Sequence, residues 1–147
     1  MSNAYIAMSG GVDSAVSVLL LQQQGYEVSG VTLRLHPYKD RPGLCGSADD
    51  IETARAVAAA IGIPHTALDL SELFQQKVMD KFVSEYVHGH TPNPCIDCNR
   101  EIKFGALLDW ALEHGADAIA TGHYAQVEKV HFGNAFFRHD IGKRALE

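Results

Sequence analysis

The stretch Ser9-Gly10-Gly11-Val12-Asp13-Ser14 constrains this chain more than any other. Before it, Ala4-Tyr5-Ile6-Ala7 reads as a short buried strand. After it, Ala15-Val16-Ser17-Val18-Leu19-Leu20-Leu21 reads as a helix. Gly10 and Gly11 can take positive φ and let a ligand approach the backbone. The helix start offers free N–H groups and a partial positive charge. A strand, a glycine turn with hydroxyls and a helix start make an anion cradle, and the expected ligand is a phosphate. The loop lacks the lysine of the GxxxxGK[ST] pattern and is not GxGxxG. Asp13 repels phosphate unless it caps the helix or holds Mg²⁺.

The rest of the chain alternates strands and helices. The spacing predicts a helix over 14–24, stopped by Gly25, and a strand over 27–35 with Val28, Val31, Leu33 and Leu35 apolar. Pro37, Pro42, Gly43 and Gly46 make 36–46 a loop. Ser47 caps a helix that ends at Ile61, and Asp49, Asp50 and Glu52 give it an acidic first turn. A strand follows over 64–70. Ser71 is expected to cap a long amphipathic helix with Leu73, Phe74, Val78, Phe82, Val83 and Tyr86 on one face. Pro92 and Pro94 exclude helix over 89–94. A helix over 98–114 carries Trp110, read as core, and Gly115 closes it. A strand over 118–121 runs into Gly122-His123-Tyr124. Residues 126–130 and 135–138 read as a small C-terminal hairpin around Gly133-Asn134. The expected class is α/β, a single domain over 1–147. It has a parallel sheet of about four to five strands with helices on both faces. Ligands on such sheets bind outside the carboxyl ends of the strands, where 9–14, 36–46 and 122–124 emerge.

Bulk properties narrow the class further. A chain of 147 residues, 46% hydrophobic and 20% charged, can bury a core and has no signature of disorder. No apolar run nears the ~18 residues of a membrane helix, and residues 1–8 carry no signal-peptide pattern. Three cysteines suit a reducing compartment, so a cytoplasmic protein without membrane partners is expected. The net charge of −6 argues against general, sequence-blind nucleic-acid binding, but not against a nucleic acid held by a local patch.

Cys98 lies where the proline-broken segment is predicted to become a helix. There the free N–H groups, the dipole, Arg100 and Lys103 favour a thiolate. Such a thiol suits nucleophilic or persulfide chemistry; the alternative is a small buried hydrophobe. Cys95-Ile96-Asp97-Cys98 is a CxxC, either a redox pair or half a metal site. With His88 and His90 upstream a zinc site is conceivable, and Cys45 offers a third thiol for an iron–sulfur cluster. No metal ligands are assigned.

Residues 9–14 match the SGGxDS signature and so resemble the PP-loop (N-type) ATP pyrophosphatases. Further stretches resemble the tRNA-specific 2-thiouridylase family. They are Ala7-Met8, Gly43-Leu44-Cys45-Gly46-Ser47, Thr91-Pro92-Asn93-Pro94-Cys95-Ile96-Asp97-Cys98-Asn99-Arg100 through Phe104, and residues 115–124 ending in Gly122-His123-Tyr124. The resemblance implies a Rossmann-like fold of the adenine nucleotide alpha hydrolase type. It implies that ATP adenylates the O2 of a tRNA wobble uridine and that a cysteine persulfide then delivers sulfur. ATP, with Mg²⁺, is expected at Ala7, Met8, Ser9, Gly10, Gly11, Val12, Asp13, Ser14, Leu33 and Gly122. Cys98 is expected to be the nucleophile and persulfide carrier. Cys95 and Asp97 are the candidates for proton transfer, because some members carry aspartate at the Cys95 position. Asn93, Pro94, Cys95, His123 and Lys103 are expected to border the tRNA. The implied partners are tRNA and a sulfur carrier protein or cysteine desulfurase. Members resolve the persulfide with a second cysteine far downstream. The chain is therefore expected to be the N-terminal part of a longer protein, able to bind ATP but poor at thiolation alone, with Cys95 as a substitute resolving thiol. The alternatives are another PP-loop adenylating enzyme, amide-forming or sulfur-transferring, and a metal-stabilised nucleotide-binding module.

Overall fold

The structure is a computed structural model and describes residues 2–36, 45–124, 126–129 and 135–138. Strands β1 (Asn3–Ala7), β2 (Glu27–Arg34), β3 (His65–Asp69) and β4 (Ala118–Thr121) form one parallel sheet in the order β3-β2-β1-β4. Ala4 of β1 lies opposite Val28 on one side and Ala118 on the other. Helices α1 (Val12–Gln23) and α2 (Ala48–Ile61) follow β1 and β2. Helix α3 spans 71–87 and α4 spans 94–113; each widens into π-type turns, over Gln75–Met79 and Cys98–Ala106. A separate antiparallel pair, β5 (Gln126–Lys129) and β6 (Ala135–Arg138), sets Gln126 opposite Arg138.

Two apolar layers hold the sheet. Ile6, Met8 and Val28 pack with Val18 of α1 and Ala54 and Ala58 of α2. Val31, Leu33 and Leu35 pack with Phe74 and Val78 of α3 and Cys98, Ile102 and Leu107 of α4. Alternate residues of β1 and β2 thus feed opposite cores, as the two-residue period of a strand requires. Burying a side chain such as Ile6 or Ile102 contributes about 1.5–3 kcal/mol. The topology follows from handedness. Right-handed crossovers from β1 to β2 to β3 put α1 and α2 on one face; the return to β4, on the far side of β1, puts α3 and α4 on the other. The expected parallel α/β sheet and its helices on both faces are present.

Several boundaries differ. Helix α1 starts at Val12, two residues before the predicted start. Ser71 is not a cap: Leu70 holds that position, and Asp69 accepts hydrogen bonds from the Ser71 amide and hydroxyl at 3.0 and 2.6 Å. Ser71 in turn holds the Asp69 carboxyl below its usual range. Val83 and Tyr86 are exposed, so only the first half of the α3 stripe, Phe74 and Val78, is buried. Pro94 is helical. It is the first residue of α4, where its missing N–H would have had no partner in any case. Trp110 is half-buried and meets Tyr5 edge-on at 5.1 Å, in keeping with a packing role. Residues 37–44 and the Gly133-Asn134 turn lie outside the described residues.

Candidate functional site

The sheet order creates a crevice that sequence spacing does not display. β1 sends its chain toward β2, while β4 lies on its other side, so the loops after β1 and β4 diverge at a topological switch point. The glycine loop 9–14 leaves β1 there, and Gly122-His123-Tyr124 leaves β4 there. They touch. A Cβ on Gly122 would stand 3.1 Å from the Ser14 nitrogen, and the Tyr124 hydroxyl donates to Asp13 Oδ1 at 2.6 Å. That bond raises the Tyr124 pKa above its ordinary value.

The loop fits a phosphate. Helix α1 is capped by Gly11 with no side-chain hydrogen bond, so the first-turn N–H groups face outward without an intrahelical or side-chain partner. Helix α2 differs: Ser47 and Asp50 close its end with a reciprocal capping box. Gly10 holds φ +78, and a Cβ there would lie 2.7 Å from Thr53 Cγ2. Ser14 is buried and donates from Oγ to the Gly11 carbonyl at 3.0 Å, bracing the turn from beneath. Met8 is buried, its amide bonded to the Val31 carbonyl and its carbonyl accepting from Thr32 Oγ1. Ala7 and Leu33 sit below the crevice on the α3–α4 face of the sheet. Asp13 does not cap α1; with one oxygen bonded to Tyr124, its carboxylate remains suited to join phosphate oxygens around Mg²⁺.

The second part of the site is the start of α4. Asn93 is its N-cap and accepts from the Cys95 amide at 3.1 Å. Cys98 therefore lies a full turn inside the helix instead of at its mouth. It is buried in the cluster that includes Leu33, Leu35 and Phe74, toward the carboxyl edge of the sheet. Burial pushes its pKa up, with Lys103 opposing and Cys45 and Cys95 adding to the rise. This runs against the expectation of a stabilised thiolate: Cys98 lies past the helix mouth, and its burial raises the pKa more than Lys103 lowers it. Arg100 does not serve Cys98 either, since it bonds Asp97 and Glu101 at 2.8 Å each. Buried Cys98 is expected to alkylate more slowly than exposed Cys95 at neutral pH, with a rate that keeps climbing above the usual thiol pKa. Peptide-resolved iodoacetamide labelling across pH measures both.

Asp97 is buried and accepts from Lys81 Nζ and Arg100 Nη2, each at 2.8 Å. The bond to Asp97 raises the Lys81 pKa. These bonds tie α3 to the first turns of α4 and so fix Cys95 and Cys98. Asp97→Ala is expected to cost about 1–3 kcal/mol. The figure is at the lower end for ion pairs because Lys81 and Arg100 are 40% and 61% exposed. Thermal unfolding checks it. His123 bonds Thr121 through Nδ1 at 2.8 Å and lies 6.2 Å from the Phe104 ring of α4, which links the β4 loop to the cysteine helix. Asn93, Pro94, Cys95, Lys103 and His123 thus come from two segments near one edge. Among the described residues, no three His, Cys, Asp or Glu side chains group so as to hold a metal ion. A wide hollow of about 550 Å³ opens over Asp69 to Gln76. Asp69 and Glu72 line it, which makes it unsuited to a triphosphate.

The family model described as the tRNA methyl transferase HUP domain matches residues 2–143. The chain belongs to that family. Its relatives include proteins named tRNA-specific 2-thiouridylase MnmA. The one from Methylobacterium sp. is 52% identical over 122 residues, 81% of this chain and 32% of that protein. The one from Acidithiobacillus ferrooxidans is 51% identical over 135 residues, 92% of this chain and 37% of that protein. The one from Rhodopseudomonas palustris is 48% identical over 144 residues, 96% and 34%. The chain spans about a third of the length of these curated relatives. Among solved structures, the predicted subunit of a tRNA methyltransferase from Methanocaldococcus jannaschii matches with a TM-score of 0.56 at 17% identity. It covers 82% of this chain and 53% of that one, a likeness of fold alone.

In this HUP-domain member, the Tyr124–Asp13 and Lys81–Asp97 bonds are features of the candidate site that sequence reading missed. Tyr124 follows the Gly122-His123 pair already singled out, so its position was a usable signal. Lys81 gave none: its role depends on α3 lying beside α4. No helix among the described residues is long and apolar enough to cross a membrane.

Proposed function

We propose that this chain is the nucleotide-binding and sulfur-handling part of an enzyme that converts the wobble uridine of tRNA to 2-thiouridine at the expense of ATP. The observation that carries this reading is one shared edge. An uncapped helix start at the β1/β4 switch point and a buried cysteine on α4 both lie at the carboxyl ends of the strands. The names of the MnmA relatives agree with it. The family description speaks of methyl transfer. A phosphate cradle beside a thiol favours adenylation and sulfur transfer instead.

In this reading residues 9–14 and Gly122 bind the phosphates, Ala7, Met8 and Leu33 border the adenine, and Asp13 helps to hold Mg²⁺. ATP supplies the adenylyl group that turns O2 of the uridine into a leaving group. Asn93, Pro94, Cys95, Lys103 and His123 border a base drawn out of its stack. Cys98, loaded as a persulfide by a sulfur carrier protein or cysteine desulfurase, delivers sulfur to C2, and AMP departs. Asp97 holds Lys81 and Arg100 and keeps α4 in place; Cys95, at the exposed helix mouth, is the better-placed proton carrier. The chain is a single domain and works in the cytoplasm. The test follows the phosphates: with tRNA present, ATP is expected to yield AMP and pyrophosphate. ADP and orthophosphate as the products would refute the reading.

A further inference from the structure

Met8 joins β1 to the glycine loop, and a line of hydrogen bonds from two other strands ends on it. Its carbonyl accepts from the hydroxyl of Thr32 on β2 at 2.9 Å, and Thr32 is buried. The same hydroxyl lies 2.8 Å from Nε2 of His65 on β3. A carbonyl can only accept and a threonine hydroxyl has one proton, so that proton points to Met8. His65 must then donate from Nε2, and the bonds run one way, from His65 to Thr32 to Met8. The neutral ring in this form leaves Nδ1 without a proton. Nδ1 is buried and, among the described residues, has no hydrogen-bond partner. A proton there would make a buried N–H with no acceptor, which is unfavourable. Burial, with Arg55 of α2 adding to it, holds the His65 pKa below its ordinary value. Gly30 makes room for the arrangement. A Cβ there would stand 2.7 Å from Met8 Sδ and 3.2 Å from His65 Cδ2, so both side chains close over β2 at one glycine. The Gly30 amide also bonds the Pro64 carbonyl at 2.8 Å, which pins the start of β3 beside it.

We propose that Thr32 and His65 are positioning residues of the phosphate loop; the assignment rests on the reading of residues 9–14 as the nucleotide cradle. Both act through Met8 and not on the phosphates. His65 turns the Thr32 hydroxyl toward the Met8 carbonyl, and its donated bond strengthens the one that Thr32 makes. The Met8 amide is held to the Val31 carbonyl at 2.8 Å, so the residue is tied to β2 at both its backbone groups. These ties set the peptide plane from which Ser9 and Gly10 depart. Without the Thr32 bond, the Met8–Ser9 peptide loses one of them, and the N–H groups at the start of α1 lose their aim at a phosphate. Three strands thereby fix a loop that emerges from one.

Two measurements on the whole chain test this. Nitrogen-15 NMR of the imidazoles reads the tautomer of His65 without any substitution, and its proton is expected on Nε2. A neutral ring with the proton on Nδ1 would turn the Thr32 hydroxyl toward His65 and away from Met8, and overturns the assignment. Calorimetric titration with ATP reads the loop. Thr32→Val keeps the shape but loses the hydroxyl, and His65→Leu loses the donor; each is expected to bind ATP about tenfold more weakly. Thr32→Ser and His65→Gln keep those groups and are expected to bind close to wild type. Melting curves set a temperature at which every variant is folded, and the tautomer needs none of them. Wild-type affinity in Thr32→Val, or a loss in Thr32→Ser as large as that in Thr32→Val, overturns the assignment while leaving the loop as the nucleotide site. Failure of the wild-type chain to bind ATP at all overturns the nucleotide reading, and this assignment with it.

Discussion

Cys98→Ser is expected to lose ATP-dependent thiolation by at least about a thousandfold, the scale of removing a covalent nucleophile, with nucleotide affinity unchanged. Serine fits the space but its oxygen cannot carry a sulfane sulfur. Cys98 belongs to an apolar cluster with Leu33, Leu35 and Phe74, so the buried hydroxyl costs about 1–3 kcal/mol of stability. Cys98→Ala restores the apolar character and separates the two effects: it should melt closer to wild type and remain inactive. Mass spectrometry of digested tRNA reports 2-thiouridine, and a melting curve reports the fold. Either variant thiolating at the wild-type rate would remove Cys98 as the sulfur carrier.

Gly10→Ala is expected to weaken ATP binding by roughly ten- to a hundredfold, that is by about 1.4–2.8 kcal/mol. Its effect has two sources. An alanine at φ +78 is strained by about 1–2 kcal/mol. Its methyl would also stand 2.7 Å from Thr53 Cγ2 and 3.2 Å from the Ala54 nitrogen, so the loop must lift from α2 and misalign the first N–H groups of α1. Gly25→Ala is the control. Gly25 has φ +86 and nothing within 4 Å of its added Cβ, so it carries the strain without the clash and lies at the opposite end of α1. Calorimetric titration with ATP should show Gly25→Ala binding like wild type. Equal affinity for Gly10→Ala would mean that the loop does not hold the nucleotide.

Local signals made the elements legible. The Ser47–Asp50 box, the strand at Ala118–Thr121 and the hairpin strands follow from short-range chemistry and appear where expected. The start of α4 was misread because Pro94 was treated as a breaker; proline at a first helical position breaks nothing. That error carried into the chemistry. Moving the helix start from Cys98 to Pro94 takes Cys98 off the helix mouth and into the core, and the sign of its pKa shift reverses. The lower half of α3 was over-read for a different reason: Val83 and Tyr86 keep the helical period, but the periodic pattern does not say where a neighbour ends. The contact between the β1 and β4 loops was not legible at all. It depends on β4 sitting beside β1, a long-range fact that neither segment encodes alone.

The most direct test places oxygen-18 at O2 of the wobble uridine and follows it through a single turnover. If O2 attacks the α phosphorus and sulfur then displaces it from C2, the label must end in the phosphate of AMP, one atom for each 2-thiouridine formed. Label released to water, or 2-thiouridine formed with unlabelled AMP, would contradict adenylation of the base.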